Sequence, residues 1–293
     1  MTPPPEETAG CARCEGSGYL LGTDGEHASA RRCACMTPCS RCGGSHLLVT
    51  RDEKGNNLAV RCACDQLDRR IQLFNDARVP ARFSGSFIED LVETHRTQKE
   101  VKYALLKHRD AYQPGDSGFL LWGEPGVGKT HLLCGLASYL TLERGISVRF
   151  IDFVRLIMDL KAAYNEGRWD SEVLTPLLSA QVLIIDELGK GRASDYEGTV
   201  LDQLISNRYN SRRTLHCSSN YPPVEPPRSP SGVSYTDAGQ ALLAQTLKDR
   251  VGERIFSRLH EMCRLMRVEG EDFRMGHSQR RTETGRKKKP SND

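Results

Sequence analysis

Short apolar runs alternate with helical patterns in the second half of the chain. Each run has the length of a buried strand, and between the runs apolar residues recur every three or four positions, as on one face of a helix. This alternation predicts an α/β fold built on a parallel sheet. The predicted strands are Phe119–Trp122, Ser147–Ile151, Gln181–Asp186, Thr214–Asn220 and Leu265–Val268. The predicted helices run from Lys129 to Gly145, across Leu156–Tyr164, and over Thr199–Arg212 and Asp249–Cys263.

The segment after the first strand has the pattern of a phosphate-binding loop. It reads G-x-x-x-x-G-K-T from Gly123 to Thr130, and a helical pattern begins at Lys129. Glycines let the loop curl so that backbone N–H groups point at phosphate oxygens, and the positive end of the helix faces the same anion. This pattern predicts a site for a nucleoside triphosphate. Its candidate residues are Gly123, Glu124, Pro125, Gly126, Val127, Gly128, Lys129, Thr130 and His131.

Polar side chains follow two of the predicted strands at the edge where parallel sheets bind ligands. Asp186 and Glu187 end the run Val-Leu-Ile-Ile, and Asn220 ends the next strand along the chain. We expect Lys129 to hold the β- and γ-phosphates, Thr130 and Asp186 to hold Mg²⁺, and Glu187 to polarise the attacking water. Asn220 either senses the γ-phosphate beside these acids or forms an ordinary Asx turn.

Eight of the eleven cysteines lie in an internal repeat near the N-terminus. Each copy has a C-x₂-C pair followed by a C-x-C pair, and turn-forming residues between the pairs predict a hairpin. Four thiolates suit a closed, structural zinc site, so two zinc ions per chain are expected. Each copy is self-sufficient, which favours sequential sets over nested or alternating ones; two disulfides per copy are the remaining alternative. The candidate ligands are Cys11, Cys14, Cys33 and Cys35, then Cys39, Cys42, Cys62 and Cys64.

Composition and segment character indicate how the chain is divided into parts and in which cellular compartment it is expected. Forty-one basic residues against 38 acidic ones give a net charge of only +3, which does not by itself indicate a nucleic-acid-binding protein. Without an apolar run of about 18 residues or the features of a signal peptide, a cytoplasmic protein with reduced or metal-bound cysteines is expected, and no membrane partner. The predicted parts are a disordered segment (1–10), the zinc module (11–65), a helical linker with the N-terminal part of the nucleotide-binding region (66–114), the core of that region (115–275) and a basic disordered tail (276–293).

The motifs taken together resemble the DnaC/IstB branch of AAA+ ATPases, which contains bacterial replicative helicase loaders and transposition helpers. The resemblance covers about residues 78–275 and implies a Mg²⁺-dependent ATPase whose five strands have the order 5-1-4-3-2. It also implies that Asn220 is the first sensor and that Arg258 is the arginine finger, acting in trans in an oligomer, with Arg254 as second choice. The motifs are Val79–Phe83, Gly123–Thr130, Asp186–Gly189, Ser218–Asn220, Gly252–Leu259 and Asp272–Arg274.

The resemblance also implies partners. Loaders of this family use an N-terminal domain to bind the hexameric replicative helicase, and the zinc module is expected to do the same here. The family binds single-stranded DNA on its core, where Lys161, Tyr164 and Arg168 combine cations with an aromatic ring. Two other functions stay open: a transposition helper of the IstB kind, and a zinc-dependent protein-binding adaptor whose ATPase is vestigial. Arg250, Arg254 and Arg258, spaced four apart, fit a solvated stripe as well as arginine fingers.

Overall fold

The computed structural model describes residues 10–62, 64–191, 194–224 and 245–274. The predictions of disorder for residues 1–9 and for the tail 276–293 lie outside the described residues. The chain forms two compact units. The first contains the described residues up to Phe87 together with Cys134–Phe150 and Ala180–Val182, and the second contains the others.

Two antiparallel hairpins in the first unit correspond to the two cysteine repeats. Strand β1 (Tyr19–Asp24) pairs with β2 (His27–Arg32), and β3 (Leu47–Arg51) pairs with β4 (Asn57–Arg61). Helix α1 (Asp65–Ala77) follows the second hairpin and ends where Arg78 adopts a left-handed conformation, with φ of 58°. The predicted hairpins are therefore present.

Five further strands form one sheet. Its strands are β5 (Gly118–Trp122), β6 (Val148–Asp152), β7 (Val182–Asp186), β8 (Thr214–Ser219) and β9 (Cys263–Arg267). They lie side by side in the order β6-β7-β8-β5-β9, and β5 runs parallel to both of its neighbours. If β5 to β9 are renumbered 1 to 5 and the sheet is followed from β9 to β6, the order is 5-1-4-3-2. This order confirms the one that the family resemblance implies. Every residue of β7 and β8 is buried.

Helices connect these strands. They are α2 (Arg96–Ala111), α3 (Lys129–Leu142), α4 (Phe153–Asn165), α5 (Asp170–Ser179), α6 (Asp195–Asn210), α7 (Leu247–Val251) and α8 (Glu253–Met262). The sequence analysis predicted no element where α5 lies, because Pro176 inside this helix removes a backbone donor and weakens the helical pattern. Among the described helices, none has the length and apolar character needed to cross a membrane.

The prediction of one helix over Asp249–Cys263 is wrong. Gly252 separates α7 from α8 with φ of 84° and ψ of 156°, a conformation that glycine adopts most easily. The helical register is therefore interrupted between Arg250 and Arg254. As a result, the three arginines do not lie along one continuous helix face, contrary to the prediction.

The buried His216 and the half-buried His108 make the stability of the second unit sensitive to acid. The rings of His108 and His216 lie 5.4 Å apart, and neither Nε2 atom has a hydrogen-bond partner within the described residues. Burial, and to a smaller extent the charges of His108 and Arg208, hold the pKa of His216 well below its ordinary 6.5. The unfolded chain thus binds a proton that the folded chain excludes. Stability should fall as the pH drops below about 6.5, by up to about 1.4 kcal/mol per pH unit for each such histidine.

We expect His216→Asn to flatten this pH dependence. An asparagine oxygen can replace Nδ1 of His216, which accepts a hydrogen bond from the Phe119 amide at 3.1 Å. Denaturant unfolding at pH 7.5 and pH 5.5 measures the effect, with His260→Asn as the control because His260 is exposed on α8. An equal loss of stability in acid for His216→Asn and the unaltered chain would contradict this explanation.

Candidate nucleotide site and cysteine clusters

The phosphate loop joins β5 to α3 and depends on glycine at two crowded positions. Gly123 has φ of 151°, and a Cβ atom there would lie 2.0 Å from the carbonyl oxygen of Val268. Gly126 has φ of 83°, and a Cβ atom there would lie 1.9 Å from Oδ1 of Asp272. Val127 is buried, and its carbonyl oxygen accepts a hydrogen bond from Nε2 of Gln98 at 3.1 Å. These contacts fix a tight loop whose backbone another residue type would distort.

Lys129 is a buried cation at the mouth of this loop. Its Nζ donates to the carbonyl oxygens of Gly123 at 2.7 Å and Glu124 at 2.8 Å. Burial lowers the pKa of Lys129 to about 8, although the charges of Asp186 and Glu124 act in the opposite direction. The side chain therefore stays largely charged at neutral pH and is positioned to bind an anion held by the loop. Glu124 and Pro125 are exposed, and His131 is half-buried in the first turn of α3.

Thr130 and Asp186 meet at the end of β7. The Thr130 hydroxyl lies 3.1 Å and 3.0 Å from the two Asp186 oxygens, and Ser218 on β8 donates to Oδ1 of the same carboxylate. Burial raises the pKa of Asp186, while the hydrogen bonds from Ser218 and Thr130 lower it. A hydroxyl beside a carboxylate is the pair of oxygen ligands that phosphate-binding loops use for Mg²⁺. The residues predicted for the metal are thus brought together.

Glu187 follows Asp186 in a left-handed conformation, with φ of 54°, which is uncommon outside glycine and indicates a constrained position. Its amide donates to Oγ of Ser218 at 3.1 Å, and its carboxylate forms an ion pair with Lys190. Asp152, at the end of β6, accepts a hydrogen bond from the Arg155 amide at 3.0 Å and caps the start of α4. Its pKa is raised by burial and by the nearby charge of Glu187. The ends of β6 and β7 thus form an acidic edge.

The sequence analysis named Ser218 only as part of a family motif, and it assigned no role at these sites to Ser218, Lys190 or His46. Ser218 binds Asp186, Lys190 binds Glu187, and Nδ1 of His46 lies 3.6 Å from the Cys64 sulfur. A serine within a buried strand is the one signal that could have indicated Ser218. The roles of Lys190 and His46 depend on three-dimensional placement that no local pattern shows.

Asn220 and Arg258 are placed differently from the residues of the phosphate loop. Asn220 is exposed directly after β8, and no hydrogen bond of its side chain is found within the described ranges. Arg258 Nη1 lies 3.0 Å from Oδ1 of Asp202 and 2.5 Å from Oγ of Ser206, both on α6 of the same chain. Its side chain is 21% exposed.

The other two arginines have separate environments. Arg254 is 72% exposed, and its Nε lies 3.7 Å from Oδ1 of Asp202. Arg250 donates to the carbonyl oxygens of Gly189, at 2.8 Å, and Gly191. Arg250 therefore supports the loop that follows Glu187, whereas Arg254 remains accessible.

The candidate nucleic-acid surface on α4 has exposed aromatic rings, but one of its two cationic side chains is paired with acidic residues. Tyr164 is exposed, and so is Trp169 in the following turn, which the sequence analysis did not identify. Arg168 pairs with Glu166 at 2.7 Å and lies 3.8 Å from Glu172, so its charge is largely balanced. Lys161 is exposed on α4.

The cysteines form two sequential clusters. Within each set the four sulfur atoms lie within 4.8 Å of one another, which contradicts the nested and alternating sets. The pairs Cys11–Cys33 and Cys39–Cys62 are 3.9 Å and 3.8 Å apart, and Cys14–Cys35 and Cys42–Cys64 are 3.5 Å and 3.4 Å apart. Disulfide sulfurs lie about 2.05 Å apart, whereas Zn–S bonds of about 2.3 Å in a tetrahedron separate them by about 3.8 Å. Both clusters therefore fit a zinc ion.

Comparison with known proteins identifies the family. Residues 111–281 match the family described as "IstB-like ATP binding protein". The replicative helicase loader DnaC of Escherichia coli K12 is 30% identical over 187 residues, which cover 60% of this chain and 73% of that protein. DnaC of Buchnera aphidicola from Acyrthosiphon pisum is 28% identical over 128 residues, 43% of this chain and 52% of that protein. This chain thus spans about half the length of the Buchnera loader.

Solved structures agree with the sequence comparison. The crystal structure of the DnaC helicase loader has a TM-score of 0.52 and 28% identity, and the match covers 64% of this chain and 99% of that one. The crystal structure of DnaI has a TM-score of 0.51 at 20% identity, covering 66% of this chain and 93% of that one, and supports the fold alone. The chain belongs to the IstB-like ATP-binding family, as an AAA+ ATPase of the DnaC/IstB type.

Proposed function

We propose that this protein is a Mg²⁺-dependent ATPase that loads a replicative ring helicase onto DNA. The observation that carries the ATPase half is the contact of the Thr130 hydroxyl with both Asp186 oxygens beside the buried Lys129. Lys129 binds the β- and γ-phosphates, and Thr130 and Asp186 hold Mg²⁺, which neutralises charge on the phosphates when bound. Glu187 polarises the attacking water once its carboxylate turns away from Lys190, and Asn220 senses the γ-phosphate.

The helicase-loading half rests on the names of the relatives, which are replicative helicase loaders. We propose that residues 11–65 bind the hexameric helicase, that residues 66–114 link this module to the core, and that residues 115–275 hydrolyse ATP in the cytoplasm. The test is capture of purified replicative helicase from the same organism by the full chain, with and without a zinc chelator. Zinc-dependent capture is expected. No capture by the zinc-loaded chain would contradict the loader function.

A second candidate function is that of a transposition helper, which the match to the IstB-like family favours. A helper would remodel target DNA and recruit a transposase, whereas a loader would bind a ring helicase. The adaptor alternative, with a vestigial ATPase, is disfavoured because the described site keeps the loop lysine and both acids together. ATP hydrolysis that stays at background would revive it.

We further propose that single-stranded DNA binds beside α4. Tyr164 and Trp169 offer exposed rings for stacking with bases, and Lys161 offers a cation. Arg168 contributes less, because Glu166 and Glu172 neutralise it. This site would retain the strand on which the helicase is placed.

We predict two zinc ions per chain. The buried residues Cys33 and Cys62 belong to different clusters. Cys62→Ser removes a ligand from the second cluster alone, so the zinc content should fall to one ion per chain. Atomic emission spectroscopy on the dialysed protein measures the ratio. Cys134→Ser is the control, because Cys134 is buried in α3 outside both clusters, and it should keep two zinc ions. One zinc in the unaltered chain would contradict the sequential clusters.

A further inference from the structure

The two zinc repeats place their strands in the same register. The Cys33 amide donates to the Gly18 carbonyl at 2.9 Å, and the Cys62 amide donates to the His46 carbonyl at 2.8 Å, at equivalent points of the two hairpins. Three residues before each of these cysteines lies an alanine, Ala30 in the first repeat and Ala59 in the second. Ala30 pairs with Leu21 and Ala59 pairs with Val49, so the two alanines occupy equivalent positions. Both alanines occupy non-hydrogen-bonded pairs, so their N–H and C=O groups point away from the partner strand.

In the first repeat, α1 of the same chain covers this edge. The Asn75 side chain accepts from the Ala30 amide at 2.7 Å and donates to the Ala30 carbonyl at 3.1 Å. Asp68 Oδ2 lies 2.8 Å from Nη1 of Arg32, and Ala30 is buried. One amphipathic helix thus supplies a carboxamide to the strand edge and a carboxylate to the arginine.

In the second repeat the equivalent surface is open. Leu47 is 51% exposed and Val49 is 72% exposed, and both share a face of the hairpin with Ala59 and Arg61. Arg61 corresponds to Arg32; its ion-pair partner among the described residues is the neighbouring Asp65, at 2.7 Å, and its side chain is 76% exposed. Within residues 10–62 and the other described ranges, no hydrogen bond reaches the outward groups of Ala59.

We infer that the second repeat binds an acidic amphipathic helix of the partner helicase on the surface formed by Leu47, Val49, Ala59 and Arg61. The first repeat shows what such a surface accepts, because α1 supplies a carboxamide to the edge of β2 at Ala30 and a carboxylate to Arg32. Arg61 and the exposed Arg51 on the same face complement carboxylates on that helix. The duplication thus divides two tasks: the first repeat anchors the module to its own chain, and the second recognises the partner. This inference rests on the proposed loader function.

The test compares Val49→Glu with Leu58→Glu in the full, zinc-loaded chain. Leu58 lies opposite Thr50 and so points to the other face of the same hairpin, where it is 52% exposed. Biolayer interferometry measures the dissociation constant of the complex with purified replicative helicase. This constant should rise at least about tenfold for Val49→Glu, because docking would bury an unpaired charge. Leu58→Glu should change it less than about twofold. Zinc content and ATP affinity should match the unaltered chain for both variants.

Hydrogen exchange provides a readout that needs no substitution. The Ala59 amide should exchange more slowly in the complex, whereas the Ala30 amide, already bound by Asn75, should change little. Helicase binding that is indifferent to Val49→Glu and leaves Ala59 unprotected would overturn this inference and leave the loader function intact. No helicase binding by the unaltered chain would overturn the loader function, and this inference with it.

Discussion

Replacing Lys129 with alanine should reduce ATP affinity by about 10²-fold or more. Lys129 is the buried cation of the phosphate loop, and its ammonium already lies within 2.8 Å of two loop carbonyls. Hydrogen bonds from a fixed cation to phosphate oxygens are strong where water is excluded, and their loss leaves the phosphate charge unbalanced. Equilibrium titration with a fluorescent ATP analogue measures the change.

The matched control is Lys107→Ala, which removes an exposed lysine of α2. It should leave ATP affinity unchanged, and both variants should keep the thermal midpoint of the unaltered chain within a few degrees. Unaltered ATP affinity in Lys129→Ala would contradict the nucleotide site itself.

Replacing Arg258 with alanine should lower the rate of ATP hydrolysis by about 10³-fold or more while ATP binding is retained, which is the usual scale for an arginine finger. Asp202 and Ser206 hold the Arg258 side chain within its own chain. A role in trans therefore requires these contacts to orient Arg258 towards the nucleotide of a neighbouring subunit. Arg254→Ala, at a more exposed position, should lower the rate by a smaller factor.

A mixing experiment separates action in trans from a local effect. Lys129→Ala subunits bind ATP weakly but carry an intact Arg258, and Arg258→Ala subunits bind ATP but lack the arginine. A mixture of the two should hydrolyse ATP faster than either variant alone. Normal turnover by Arg258→Ala would transfer the role to Arg254 or deny it, and a mixture no faster than its parts would rule out action in trans.

The parts that were predicted from the sequence are those in which short segments dictate their own geometry. The glycines of the phosphate loop, the run that ends in Asp186 and the two C-x₂-C pairs impose turns, strands and ligand spacing within a few residues. The sheet order came from the family resemblance and is confirmed by the structure.

The parts that were missed depend on tertiary contacts. Gly252 interrupts the helix that the regular spacing of the three arginines predicts, and the spacing itself does not reveal this break. Ser218 reaches Asp186 only because β8 lies beside β7. The two repeats read alike in sequence, yet α1 covers one and leaves the equivalent surface of the other exposed. Local patterns define the elements, whereas their functional differences arise from what packs against each.

The most direct test of the central proposal is a loading assay on a single-stranded circular DNA with an annealed, forked strand. The purified replicative helicase should displace that strand rapidly only when this protein and ATP are both present, and Lys129→Ala should not support the reaction. Displacement at the same rate with and without this protein would contradict the proposed function.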